Sequence, residues 1–222
     1  MATTLNTLLT GFGAFGAVTD NPTQRLVAYF AERGAPGHVL TTCVLPVSYK
    51  RAPALLLEAI DRGGPGGQPF DLVLMTGVAS GSVAWRVERC GRNCNDRARD
   101  MDGQLPAPEI IAGGPDLLEA TVPVHLLVEA FVAAGLPVEL SESAGGYLCN
   151  HALYRALHHL RQSGSAAMAG FLHVPADTTT FTDAAAPAQF PFAQHVRAVE
   201  TALAALRIGQ TSKPDSPVGR SR

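Results

Sequence analysis

A thiol and an imidazole carry the most chemical information in this sequence. Cys149 closes the run Ser143-Ala144-Gly145-Gly146-Tyr147-Leu148-Cys149 and is followed by Asn150 and a helical pattern. Small residues end one segment, and the apolar positions Ala152, Leu153, Ala156, Leu157 and Leu160 then recur at three- and four-residue intervals. Cys149 is in phase with them, which places it in the first turn of a helix on the side facing the protein. Unpaired amide hydrogens and the positive end of the helix dipole favour thiolate over thiol there. His173 follows in Ala169-Gly170-Phe171-Leu172-His173-Val174-Pro175, an apolar run stopped by proline that reads as a strand with an imidazole at its end. In open α/β sheets, strand carboxyl ends and helix amino ends share the functional edge, so the two side chains can meet. Taken singly, a buried cysteine is more often a small hydrophobe, and a strand-end histidine often only satisfies a hydrogen bond.

Other groups with chemical potential read differently. Gly11-Phe12-Gly13-Ala14-Phe15-Gly16 matches a dinucleotide-binding glycine pattern after a first strand. The next helix signal comes only at Asn21-Pro22, and no acidic residue occurs between Glu32 and Glu58 to meet a ribose. The run is therefore expected to be a turn that lets backbone approach a ligand. Cys90 and Cys94 lack enough neighbouring Cys or His for structural zinc and are expected to be loop cysteines without catalytic consequence. His151, Arg155, His158 and Gln162 share the helix side away from Cys149 and read as a solvated face.

These residues need a frame, and 222 residues that are 46% hydrophobic suffice for one large core. Leu5 to Phe12 reads as a strand and Asn21-Pro22 to Gly34 as a helix with Asn as cap. Val39 to Val47 is a second strand, about Tyr49 to Arg62 a helix, and Phe70 to Thr76 a buried strand beyond a Gly/Pro-rich turn. Ala84 to Gln104 breaks the alternation and is expected to be one strand entering a long irregular loop. Leu118 to Gly135 is expected to be mainly helix, Val138 to Ser141 strand, Gly145 to Gln162 helix, Met168 to Val174 strand and Phe190 to Leu206 a final helix. The expected fold is a three-layer α/β/α single domain over residues 1–208 with a twisted, mixed, mostly parallel sheet. A flexible tail is expected from 209 to 222. A net charge of −2 without a long basic run gives no reason to expect nucleic acid or an anionic membrane as partner. No apolar stretch reaches membrane-spanning length and no export signal is legible, so the expected location is the cytoplasm. Four cysteines, unevenly spaced, are expected to be reduced.

Four segments in order resemble the pyroglutamyl peptidase I family of cysteine peptidases. They are Leu9 to Gly16 with Asn21-Pro22; Leu45-Pro46-Val47; Gly77 through Glu88-Arg89 to Asn93; and Ser143 to Asn150 with Gly170 to Pro175. The resemblance implies removal of an amino-terminal pyroglutamyl residue from peptides by a Cys-His-Glu set, here Cys149, His173 and Glu88, with neither metal nor organic cofactor. It also implies aromatic walls from Phe12 and Phe15, lactam contacts from Asn21 and the main chain at Val78, an oxyanion arginine at Arg97 or Arg99, and a homo-oligomer such as a tetramer. Asn21 is equally the helix cap, and the phenylalanines equally core. The third segment departs from the family pattern: Gly77-Val78-Ala79-Ser80-Gly81-Ser82 lacks the family's Gln and Arg side chains, and the run to Gly103 is shorter. Two alternatives stay open: a cysteine hydrolase of another lactam or amide, and a binding homologue without turnover.

Overall fold

The computed structural model describes residues 4–16, 18–178 and 189–211. A six-stranded sheet forms its middle layer, in the order β2-β1-β3-β8-β4-β7. Its strands are β1 (Leu5–Phe12), β2 (His38–Leu45), β3 (Leu72–Val78), β4 (Trp85–Glu88), β7 (Val138–Ser141) and β8 (Met168–Val174). Strands β1, β2, β3 and β8 run parallel, whereas β4 pairs antiparallel with β8 and parallel with β7. Two short ribbons lie outside this sheet: β5 (Cys90–Arg92) with β6 (Leu117–Glu119), and β9 (Ala176–Asp177) with β10 (Gln189–Phe190).

Alternation along the strands splits the core in two. Val73, Met75, Ala169 and Phe171 point to the face covered by α2 (Arg51–Arg62) and α4 (Leu148–Gln162). Leu72, Leu74, Trp85, Val87, Leu172 and Val174 point to the opposite face, under α1 (Pro22–Arg33), α3 (Val124–Ala133) and α5 (Phe192–Thr211). This is the three-layer arrangement with a mixed, mostly parallel sheet expected from the sequence.

Four local expectations are corrected. Ala84 to Gln104 holds two strands rather than one, β4 and β5, before the chain becomes irregular. Leu118 to Gly135 is not mainly helix from its start: β6 pairs with β5, and α3 begins only after Pro123, whose fixed φ and missing N–H suit a helix entrance. Gly11 lets β1 pack against α1, since a Cβ there would lie 2.3 Å from the Thr23 carbonyl oxygen at the start of α1. Cys90 is a buried strand residue whose thiol lies 3.3 Å from the Glu142 carbonyl, not a loop cysteine. The final helix runs to Thr211, and the rest of the expected tail, 212–222, lies outside the described residues.

Candidate active site

Cys149 is the second residue of α4. Tyr147 stands at the cap position with extended backbone and no side-chain capping bond. His151 N–H is the first to reach back into the helix start, bonding the Tyr147 carbonyl at 3.0 Å. The Leu148 and Cys149 amides make no hydrogen bond among the described residues, so two donors and the helix dipole remain directed at whatever anion lies beside the thiol. The thiol packs against β3 because position 77 is glycine: a Cβ there would lie 2.7 Å from Cys149 Sγ and 2.8 Å from the Phe171 ring.

Strand register brings the remaining groups onto the α4 face of the sheet. Gly77 on β3 and Arg86 on β4 flank His173 on β8, while Phe171 pairs with Glu88, which is opposite Ser141 on β7. Residues opposite one another share a face, and so do residues two apart along a strand. His173 and Glu88 are therefore diagonal neighbours, and His173 Nδ1 meets Glu88 Oε1 at 2.7 Å with both side chains buried. Cys149 lies beside the same imidazole, close enough to couple with it electrostatically, and both line one cavity. Burial opposes the imidazolium, but the Cys149 thiolate and the Glu88 carboxylate outweigh that cost, and the His173 pKa is raised to about 9. The imidazole is therefore held in its protonated form near neutral pH.

Cys149 and His173 form part of the wall of a cavity of about 310 Å³. Phe12, Phe15, Asn21 and Val78, all named from the sequence, line the same cavity, together with Val47, Tyr147 and the backbone of Ala144, Gly145 and Gly146. Asn21 also caps α1, its Oδ1 accepting from the Thr23 N–H at 2.9 Å, and its Nδ2 donates to the Gly13 carbonyl at 2.9 Å. Its two readings are thus compatible, because the cap and the cavity wall are formed by one side chain. Phe12 is fully packed in the core while Phe15 is half-buried. Arg97 and Arg99 do not line the cavity: Arg97 is exposed, and the Arg99 guanidinium donates to the Gly103 carbonyl at 2.7 Å.

The guanidinium that does line the cavity belongs to Arg86, which sequence reasoning missed. Its signal was its place two residues before Glu88 on a strand, which puts both on one face. Asp96 was likewise missed. It lies at the cavity beside Gly146, where a Cβ would meet its carboxylate at 2.2 Å. His151 departs from its expected solvated face: it is buried, with Nδ1 2.9 Å from Asn95 Oδ1, because the 93–104 loop folds over that part of α4. A larger recess at the other end of the sheet, lined by Thr4, Pro65, Asp71 and Ser165, contains no thiol or imidazole. Among the described residues no cluster of three or more His, Cys, Asp and Glu could hold a metal ion, and no helix is long and apolar enough to cross a membrane.

Residues 5–208 match the family model described as pyroglutamyl peptidase. The pyrrolidone-carboxylate peptidase of Vibrio vulnificus is 41% identical over 170 residues, covering 76% of this chain and 77% of that protein. The Gloeobacter violaceus protein of the same name is 33% identical over 208 residues, covering 93% and 98%. Among solved structures, pyrrolidone carboxyl peptidase from Thermococcus litoralis superposes with a TM-score of 0.86 at 28% identity, covering 97% of this chain and all of that one. A family match across almost the whole described chain, a shared fold, and a thiol and imidazole on one cavity wall with a buried carboxylate behind the imidazole lead to one conclusion: the chain belongs to the pyroglutamyl peptidase family of cysteine peptidases.

Proposed function

We propose that Cys149, His173 and Glu88 are the nucleophile, the acid-base and the orienting carboxylate of this enzyme. It is a cysteine exopeptidase that removes an amino-terminal pyroglutamyl residue from peptides. The observation that carries the assignment is the His173–Glu88 hydrogen bond at 2.7 Å, with the Cys149 thiol beside the same imidazole on the wall of a small cavity. The Cys149 thiolate attacks the carbonyl carbon that joins pyroglutamate to the next residue, and the carbonyl electrons move onto oxygen. The Cys149 amide at the open start of α4 stabilises that oxyanion. Collapse breaks the C–N bond as the His173 imidazolium donates its proton to the departing amine, leaving a thioester. Water, deprotonated by neutral His173, then releases pyroglutamate and regenerates the thiolate. Glu88 keeps Nδ1–H directed away from the thiol and stabilises the cation.

Phe12, Phe15 and Val78 give the flat neutral lactam apolar walls. Asn21 and the main chain at Val78 supply its polar contacts. An oxyanion contribution from Arg97 or Arg99, implied by family resemblance, would require the 95–104 loop to turn inward. The same reading places the enzyme in the cytoplasm as a homo-oligomer, a tetramer on the family's pattern.

The test is release of a fluorescent amine from its pyroglutamyl amide by wild type and Cys149→Ser, with and without thiol reductant. Turnover by the reduced wild type that the substitution abolishes supports both reaction and nucleophile. Folded, reduced wild type without turnover refutes the reading, and so does undiminished turnover by the variant.

A further inference from the structure

After His173, Arg86 is the cation nearest the catalytic carboxylate, and its contacts extend well beyond it. From β4 its Nε lies 3.7 Å from Glu88 Oε1 and 2.8 Å from Glu139 Oε1. Its Nη2 donates to Ser141 Oγ at 2.6 Å and to the Ser143 carbonyl at 3.3 Å. Ser141 ends β7, and Ser143 opens the loop that runs directly into Cys149. Across the sheet, Arg86 is paired in register with His173. One guanidinium therefore touches the strand end and loop that deliver the nucleophile and stands against the carboxylate that orients the base.

Glu88 needs such a neighbour. Its carboxylate is fully buried, and Oε2 accepts no hydrogen bond among the described residues. A buried carboxylate with one hydrogen-bond partner is held in place only where nearby cations balance its charge. His173 provides one, on Oε1, and Arg86 provides the other.

We propose that Arg86 is a positioning residue of the hydrolytic site, tying the Glu88 carboxylate and the Ser141–Ser143 entrance of the nucleophile helix into one charge-linked unit. The inference rests on the assignment of Cys149, His173 and Glu88 above. Arg86 acts through these groups: it fixes the carboxylate that fixes the imidazole, and it holds the loop whose end sets the thiol. The planar fork suits this task, because one rigid group places its charge beside two acids at Nε and donates to a hydroxyl and a carbonyl through Nη2. The charged groups around it are Glu88 on its own strand, Glu139 on β7, His173 on β8, Cys149 on α4 and Asp96 at the cavity wall.

The experiment compares wild type, Arg86→Met and Arg86→Lys in three measurements: pyroglutamyl amide turnover against pH, alkylation of Cys149 by iodoacetamide followed on its own peptide by mass spectrometry, and thermal unfolding. Met preserves the stem without charge, and Lys restores charge without the fork. The expected result for Arg86→Met is a kcat about 10- to 100-fold lower with little change in KM, since loss of alignment near 1 Å has effects of that order. Its basic pH limb moves upward, because His173 loses a neighbouring cation while keeping Glu88. Arg86→Lys is expected to return the limb to its wild-type position and recover part of kcat. An unchanged kcat, a rise in KM alone, or a lowered kcat with an unmoved limb and an earlier melt would overturn the proposal. The last of these would mark a purely structural brace. Alkylation keeps this separate from the assignment of the reaction: should wild type show no peptidase turnover, Cys149 alkylation at pH 7 still decides. A rate about tenfold lower in Arg86→Met, restored by Lys, supports Arg86, and equal rates refute it.

Discussion

Replacing Gly77 by alanine adds a single methyl group at the point where the thiol meets the sheet. The methyl carbon would lie 2.7 Å from Cys149 Sγ and 2.8 Å from Phe171 Cζ, with a second ring carbon at 3.1 Å. Comfortable contact between such atoms is about 3.5–4.0 Å, so both neighbours are about 1 Å too close and each must give way. Phe171 is wedged in the core and its ring packs 4.7 Å, centroid to centroid, from the His173 ring. The thiol is the easier group to move, by rotation about one bond, and that rotation breaks its contact with His173. A displacement of about 1 Å at a reacting atom lowers turnover by roughly 100-fold, equivalent to about 2.7 kcal/mol. Overpacking destabilises by about 1–3 kcal/mol, partly offset by the 0.4–1 kcal/mol that alanine gains over glycine through the unfolded chain. Gly77 has no left-handed backbone angle to add strain. The expected variant is folded, melts about 2–8 °C earlier and retains about 1% of wild-type kcat/KM on the pyroglutamyl amide. Alkylation of Cys149 at pH 7 should slow in parallel, because the thiol has left its imidazole. Wild-type turnover and alkylation in a folded Gly77→Ala protein would show that the thiol does not depend on this contact, and would refute the reasoning.

Three further outcomes follow from the same geometry. His173 carries a pKa raised to about 9, so the imidazolium persists through neutral pH and is lost as pH rises through that value; kcat/KM should fall above about pH 9, and a basic limb near 6.5 would contradict the raised imidazole. Glu88→Gln keeps an acceptor for Nδ1–H but removes the charge, which should lower kcat by about 100-fold or more and move the basic limb downward, opposite in direction to Arg86→Met; an unmoved limb would count against Glu88 as the partner of His173. Burial, with Arg155 adding to it, lowers the His151 pKa to about 4, and burial likewise lowers that of His195 to about 4, Asp177 opposing and Arg25 adding. A depressed histidine stabilises the fold above its unfolded value near 6.5 and loses that contribution as pH falls through 4, about 3 kcal/mol for each. Denaturant unfolding between pH 7 and 4 should show the decline, and His151→Gln should roughly halve it; an undiminished slope in that variant would exclude His151 as a source.

Much of the proposed catalytic site was legible before folding, because its signals are local. A cysteine after small residues at a helix start, and a histidine at the end of an apolar strand, are defined by their immediate neighbours. Element types were legible for the same reason: the apolar period separates the helices around Leu26, Leu56 and Leu157 from the buried strands around Leu8 and Val73. Glu88 and the cavity residues Phe12, Phe15, Asn21 and Val78 came from family resemblance, not from periodicity. The sequence also offered Arg97 and Arg99 with equal weight and passed over Arg86, since an arginine's reach depends on what lies across the sheet.

What the sequence by itself determined was thus the kind of element each residue would occupy, including a thiol at a helix start and an imidazole at a strand end, both set within a few residues along the chain. Tertiary structure alone decided which side chains meet. The antiparallel placement of β4 between β8 and β7 puts Glu88 diagonal to His173 and Arg86 opposite it. Gly77 becomes a seat for the thiol only because β3 runs beneath α4, and His151 becomes buried only because a distant loop covers it. Register and cover arise from contacts between segments many residues apart, and pairing partners at that distance are fixed by packing the whole core.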